Sequence, residues 1–519
     1  MRKHLRLFCM LLTFSLFAGA LVACGSDDTS APEGNTVPAT EFTVGGDFVI
    51  VLPASPTEGE VQAAADLSAA LNQMGVTLST ANGSTEGKNE ILVGKTSRTA
   101  SQEALNGLAG GDFTVKVAGD ANNGYKIVLA AIDDDGVAFA ADYMIRTCLT
   151  GETAGTVSVS LAHTYRRGDV SIAGTPLSQY TLVYAKEGVG GDKDVEAAKY
   201  ADTAAVFADQ VEKTTGVRLN VVADGGTLPE GKVIHFGNTS SRSDNSVYSS
   251  KLIGNIRAYA VRFVQGGDIA LAGGNACSAL AAGEAFLSAI RAADREITDD
   301  LALAGEKELI RVACVGDSIT YGTNSTDPSM QSYPVYLQRM LGYGYYVEKY
   351  GAPSHSLIET DTPSFLKHDY FQKSVAGDPD VVIVMLGTND CRTQKWEDSA
   401  YKDWSDPARK EAFLSSGQKL IDAYRAANAD VQIIFATCPT VPQDAWLGTD
   451  WTARIRRYGN PAIKQLAQAN GCFVIDVFSY SEDHPEMFEG GDGLHPQNEQ
   501  YEILAEGIYD MVKDMIKKP

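Results

Sequence analysis

From Glu306 onward, short apolar runs alternate with longer stretches whose apolar residues recur at helical spacing. Five runs read as strands: Leu309–Val315, Tyr345–Tyr350, Val381–Leu386, Val431–Thr437 and Cys472–Val477. Helical segments lie between them, for instance Tyr333–Leu341, Arg409–Ala427 and Thr452–Asn470, and an amphipathic stretch from about Asn498 to Ile516 closes the chain. This alternation predicts an α/β domain over 304–519, with a five-stranded parallel sheet covered by helices on both faces. In such sheets ligands bind beyond the C-terminal ends of the strands.

Residues 45 to about 300 carry one pattern twice. A strand (Phe48–Leu52, then Tyr180–Tyr184) precedes a helix (Glu60 to Met74, then Val195 to Thr215) that ends at Gly-Val in both copies. Next come Glu90-Ile-Leu-Val-Gly94 and Val233-Ile-His-Phe-Gly237, each followed by a pair of strands turning at Asn122-Asn123-Gly124 and at Gly266-Gly267. An Ala-rich helix closes each copy, Val137–Ile145 and Ala276–Ile290. Two smaller α/β domains are expected, 45–165 and 166–303. Their strand–helix–strand–hairpin–helix order resembles the N-terminal domain of α-glucuronidases, which implies a glycan context and no catalytic residue.

The N-terminus is of another kind. Arg2, Lys3, His4 and Arg6 precede the apolar run Leu7 to Val22, which ends in Leu21-Val22-Ala23-Cys24-Gly25. This resembles a bacterial lipoprotein signal over 1–24, and the resemblance implies acylation of Cys24 and anchoring on an extracytoplasmic membrane face. Residues 25–44 are rich in Ser, Thr, Asp, Pro and Gly and read as a flexible linker.

Composition narrows the partners. A chain of 519 residues with 44% apolar residues can bury several cores, and a net charge of −23 argues against nucleic acid. Apart from Cys9 and Cys24, six scattered cysteines (Cys148, Cys277, Cys314, Cys391, Cys438, Cys472) form neither a disulfide framework nor a metal-ligand spacing.

Candidate chemistry collects at strand ends. Ser318 follows the first strand of the last domain, Asn389 the third, and Asp492 and His495 the fifth. A serine nucleophile needs a base in reach and a group that fixes the base, and Asp and His three residues apart on one turn can supply both. Gly316-Asp317-Ser318-Ile319-Thr320, Gly387-Thr388-Asn389-Asp390 and Asp492-x-x-His495-Pro496 resemble blocks of the SGNH (GDSL-type) hydrolases, esterases on a flavodoxin-like three-layer sheet. The resemblance implies Ser318 as nucleophile, His495 as base, Asp492 as its partner, and an oxyanion hole from Ser318, Asn389 and a second-block glycine. In Lys349-Tyr350-Gly351-Ala352-Pro353-Ser354, Ser354 stands where that glycine belongs and Lys349 replaces an asparagine. The α/β-hydrolase alternative needs Gly-x-Ser-x-Gly, and Thr320 breaks it. His355 and His484 are further candidates to line the pocket. Trp396 is either a sugar-stacking wall or a packed surface aromatic.

Ser332-Tyr333-Pro334 through Gly342, with Trp396 after Gly-Thr-Asn-Asp, resembles members of the family that act on acetylated glycans. The expected activity is hydrolysis of O-acetyl esters on carbohydrate, needing neither metal nor organic cofactor. A lipid or short-chain esterase and a surface glycan-binding protein remain as alternatives.

Overall fold

The computed structural model describes residues 41–517, apart from 84–85, 150–154, 187–192, 226–229, 240–251, 253, 265, 294, 393–403, 405–406 and 443–449. Cys24 and Trp396 lie outside the described residues. Numbering only the strands of the three main sheets, the first consists of β1 (Phe48–Leu52), β2 (Ser79–Asn82), β3 (Asn89–Val93), β4 (Phe113–Asp120), β5 (Gly124–Ala131) and β6 (Ala162–Tyr165), in the order β2-β1-β3-β5-β4-β6. The second consists of β7 (Tyr180–Tyr184), β8 (Asn220–Ala223), β9 (Lys232–Phe236), β10 (Ala258–Val264), β11 (Asp268–Gly273) and β12 (Ala302–Glu306), in the order β8-β7-β9-β11-β10-β12. Strand for strand, the order and the parallel or antiparallel sense of each pairing are the same in both sheets.

Helices α1 (Glu58–Gln73) and α2 (Asp134–Tyr143) belong to the first sheet, α3 (Lys193–Thr215) and α4 (Ala276–Ala292) to the second. Local chemistry starts them: Thr57 and Glu60 exchange side-chain and backbone bonds at the head of α1, and Asn275 and Ser278 do so at the head of α4. Each sheet keeps a small apolar cluster of its own, around Leu92 and around Ala260, but the two share the main core. One buried apolar cluster runs from Val44 to Ile297, and Arg291 of α4 reaches Asp142 of α2 at 2.7 Å.

Strands lie at two of the expected boundaries. Glu41–Thr43 is not linker: it pairs antiparallel with Thr156–Ser158, and the Phe42 ring stacks 4.2 Å from Tyr125. Backbone pairing and aromatic contacts of Phe42 therefore hold a segment whose composition reads as tether. The position of the expected boundary, 303/304, lies inside β12, which pairs with β10.

That domain holds β13 (Ile310–Gly316), β14 (Tyr345–Gly351), β15 (Val381–Met385), β16 (Gln432–Ala436) and β17 (Phe473–Ile475), all parallel, in the order β14-β13-β15-β16-β17. Separate apolar clusters cover its two faces, so the strands are buried on both. Helices α5 (Tyr333–Leu341) and α9 (Gln500–Val512) lie on one face, α7 (Pro407–Ala427) and α8 (Asn460–Ala469) on the other, with α6 (Asp369–Ala376) beside α7. The helix expected over 452–470 is interrupted: Trp451–Arg454 passes through a wider π turn, Ile455–Gly459, before α8. All six cysteines are unpaired, and all but Cys472 are buried.

Candidate active site

β13 ends in Gly316, and a Cβ there would stand 2.0 Å from Thr320 Oγ1 and 2.7 Å from the Met385 carbonyl, so only glycine lets the chain turn at that point. Asp317 caps the short helix Ser318–Tyr321 by accepting from the Ile319 N–H at 3.0 Å. This places Ser318 at the first helical position, where its own N–H has no intrahelical acceptor.

His495 Nε2 lies 2.8 Å from Ser318 Oγ, and His495 Nδ1 lies 2.7 Å from Asp492 Oδ2. Burial works to raise the Asp492 carboxyl, but hydrogen bonds from the His495 ring and from the His495 and Leu494 N–H groups prevail and hold it at about 2. An ionised Asp492 only accepts, so Nδ1 carries the hydrogen and Nε2 is the nitrogen left to receive the Ser318 O–H. Asp492, His495 and Ser318 thus form one line of hydrogen bonds. Ser318 and His495 are 9% and 8% exposed, enough for one reactant to reach them.

The remaining groups lie at the ends of β14 and β15. Asn389 donates from Nδ2 to Asp317 Oδ2 at 3.2 Å and to the His355 carbonyl at 3.1 Å. Ser354, the residue in the glycine's place, has φ +67, the left-handed conformation that glycine adopts freely. Its N–H meets no acceptor among the described residues. Lys349 is buried, and its ammonium donates to the carbonyls of Tyr321 at 3.1 Å and Pro328 at 2.7 Å. It ties the end of β14 to the loop that follows the nucleophile turn.

Several supports escaped the sequence reading. Asp390 is buried, and its two carboxylate oxygens accept the N–H groups of Leu357 and Ile358, each at 2.9 Å, which clamps the second-block loop. Burial pushes its carboxyl up to about 6, although Arg409 pulls the other way. Arg409 makes a paired contact with buried Asp361 (2.6 and 2.8 Å) and reaches the Asp390 carbonyl at 3.1 Å. Trp404 and Trp451 donate their indole N–H groups to the Asp390 and Thr388 carbonyls, both at 2.7 Å. Asp317 is a further support, and burial pushes it up to about 6 against the Ile319 N–H. The adjacency of Asp317 to Ser318 and of Asp390 to Asn389 was the available signal. Among the described residues no group of three or more His, Cys, Asp or Glu is arranged to hold a metal ion.

Residues 314–503 match the family model described as GDSL-like Lipase/Acylhydrolase. The C-terminal part of the chain is a GDSL-type hydrolase domain. An acetylxylan esterase of Xylanibacter ruminicola is 28% identical to this protein over 228 residues, which is 40% of this chain. The chain spans 44% of that relative's length. Among solved structures, a carbohydrate acetylesterase from Sinorhizobium meliloti is 18% identical, covering 40% of this chain and 100% of its own, with a TM-score of 0.31. A catalytic mutant of an acetylxylan esterase from Geobacillus stearothermophilus is 17% identical, covering 39% of this chain and 93% of its own, also with a TM-score of 0.31. The matched residues include both Ser318 and His495, whose side chains lie 2.8 Å apart.

Proposed function

We propose that the protein is a serine esterase that removes O-acetyl groups from carbohydrate. The observation that carries this reading is the line of hydrogen bonds from Asp492 through His495 to Ser318. In it, Ser318 attacks the ester carbonyl while His495 takes its proton, and the resulting imidazolium is held by ionised Asp492. The tetrahedral oxyanion is received by the Ser318 and Ser354 N–H groups and by Asn389 Nδ2, which gives up one of its two long bonds. As the C–O bond breaks, His495 protonates the departing sugar oxygen to a hydroxyl, and water, activated by the same ring, releases acetate from the acyl-enzyme.

The acetylxylan esterase relative supports carbohydrate as the acyl carrier, and the two similarly ordered sheets support a duplicated N-terminal region. The lipobox-like end supports an anchor at Cys24 on an extracytoplasmic face, and Cys24→Ser should then move the protein from the membrane to the soluble fraction. Wild type should release acetate from acetylated xylan, and Ser318→Ala should lower kcat by about 10⁴-fold or more. Release from 4-nitrophenyl acetate alone would reject the carbohydrate assignment. No release from either ester would reject the esterase itself.

A further inference from the structure

His355 follows Ser354 in the second-block loop, and the mechanism above uses only its backbone. Its carbonyl accepts from Asn389 at 3.1 Å, so the residue is fixed beside two of the proposed oxyanion donors. Its ring is fixed as well. Nδ1 lies 2.8 Å from the Pro353 carbonyl, and the ring meets His368 edge to face, with centroids 4.7 Å apart at 84°. His368 is in turn backed by Tyr370, also at 4.7 Å. A carbonyl oxygen only accepts, so Nδ1 carries the hydrogen and Nε2 is the nitrogen left to accept. Among the described residues nothing donates to that nitrogen, and the residue is partly exposed.

We propose that His355 Nε2 accepts a hydrogen bond from a hydroxyl of the sugar that bears the acetyl group, and so helps to determine specificity. This rests on the carbohydrate acetylesterase reading. In that reading the ester carbonyl lies against Ser354 N–H and Asn389; His355 is the next residue of the loop and is tied to Asn389, and we set its partly exposed ring against the atoms around the ester. On an acetylated sugar that surrounding includes the hydroxyl on the adjacent ring carbon. A simple aryl acetate has no such group. The ring's two fixed contacts hold the acceptor in place before substrate arrives, which limits the ordering cost of binding.

The test compares kcat/KM on acetylated xylo-oligosaccharides and on 4-nitrophenyl acetate. His355→Asn puts an amide N–H where Nδ1–H lies, which keeps the tie to Pro353 and removes Nε2. His355→Gln reaches toward Nε2 with a carbonyl oxygen and gives up the tie. The expected result is a loss for His355→Asn about tenfold larger on the oligosaccharides than on the aryl ester, the value of one hydrogen bond, expressed mainly in KM. His355→Gln should retain more of the oligosaccharide activity than His355→Asn. Equal losses on both substrates would overturn the proposal and leave His355 as a support for Asn389; so would the absence of any loss. Failure of the underlying reading is separable, because wild type would then release no acetate from the oligosaccharides.

Discussion

Ser354 poses a question about a single residue. The resemblance to the second block calls for glycine at this position, whose N–H the proposed mechanism sets against the oxyanion, and a serine there disputes the arrangement. The chain keeps the conformation, with φ +67, and accepts the steric penalty of a Cβ. That penalty is about 1–2 kcal/mol per residue. Ser354→Gly should therefore raise stability by about 1 kcal/mol, read in a denaturation midpoint, while kcat stays within a few-fold of wild type. A lower midpoint would mean that the hydroxyl does more for the loop than the Cβ costs. Asp317 allows a prediction of sign. Its folded carboxyl is raised to about 6, above the ordinary value near 3.9, so between those pH values the native state holds a proton that the unfolded chain has lost. The stability it confers is fully present below about 3.9 and is lost as pH rises through about 6. Asp317→Asn should flatten that part of the midpoint-against-pH curve, and an unchanged slope would show that the carboxyl is ionised throughout. Asp492 acts in the opposite sense: with its folded value at about 2, its contribution is lost only as pH falls toward 2.

Elements were legible where their cause is local. The strands of the hydrolase sheet fall within two residues of their apolar runs, because burial on both faces demands unbroken apolar sequence. α5 occupies Tyr333–Leu341 as its periodicity predicts. Ser318, Asn389 and His495 meet because they all follow strands of one parallel sheet, an inference that needs only strand order and direction. What sequence could not supply depends on partners far along the chain. The π turn at Ile455–Gly459 interrupts a continuous helical pattern, while Trp451 just before it donates to the Thr388 carbonyl, 63 residues earlier. The clamp of Asp390 on Leu357 and Ile358 crosses 33 and 32 residues, and its carboxylate reads in sequence as an ordinary turn residue. Phe42 is similarly invisible as a strand former until the Tyr125 ring is beside it.

At the scale of the molecule, the hydrolase domain leans on what precedes it. β14, which leads into the Ser354 loop, is the edge strand of its sheet. An uncovered edge would leave backbone groups unpaired. Here Lys199 of α3 donates to the Val347 carbonyl at 2.7 Å and lies 3.1 Å from Glu196. Glu196 accepts from Tyr346 on β14 at 2.9 Å, and the Lys199 ammonium sits 4.1 Å from the Tyr346 ring centroid. Both charges are nearly fully buried, at 2% and 3% exposure, so each is tolerable only while the other is present. Lys199→Met should then lower the stability of the full chain by about 3–5 kcal/mol, because it strands the Glu196 carboxylate and the Val347 carbonyl together. Lys199→Met with Glu196→Gln should recover most of that loss, since the buried charge goes and the Tyr346 hydroxyl keeps an acceptor. Paired denaturation curves of the two variants decide the matter. If the single variant is no less stable than the double, the ion pair is not what joins the second sheet to the hydrolase edge. If recovery occurs and kcat on 4-nitrophenyl acetate returns with it, the N-terminal body is part of what holds the second-block loop in its working conformation.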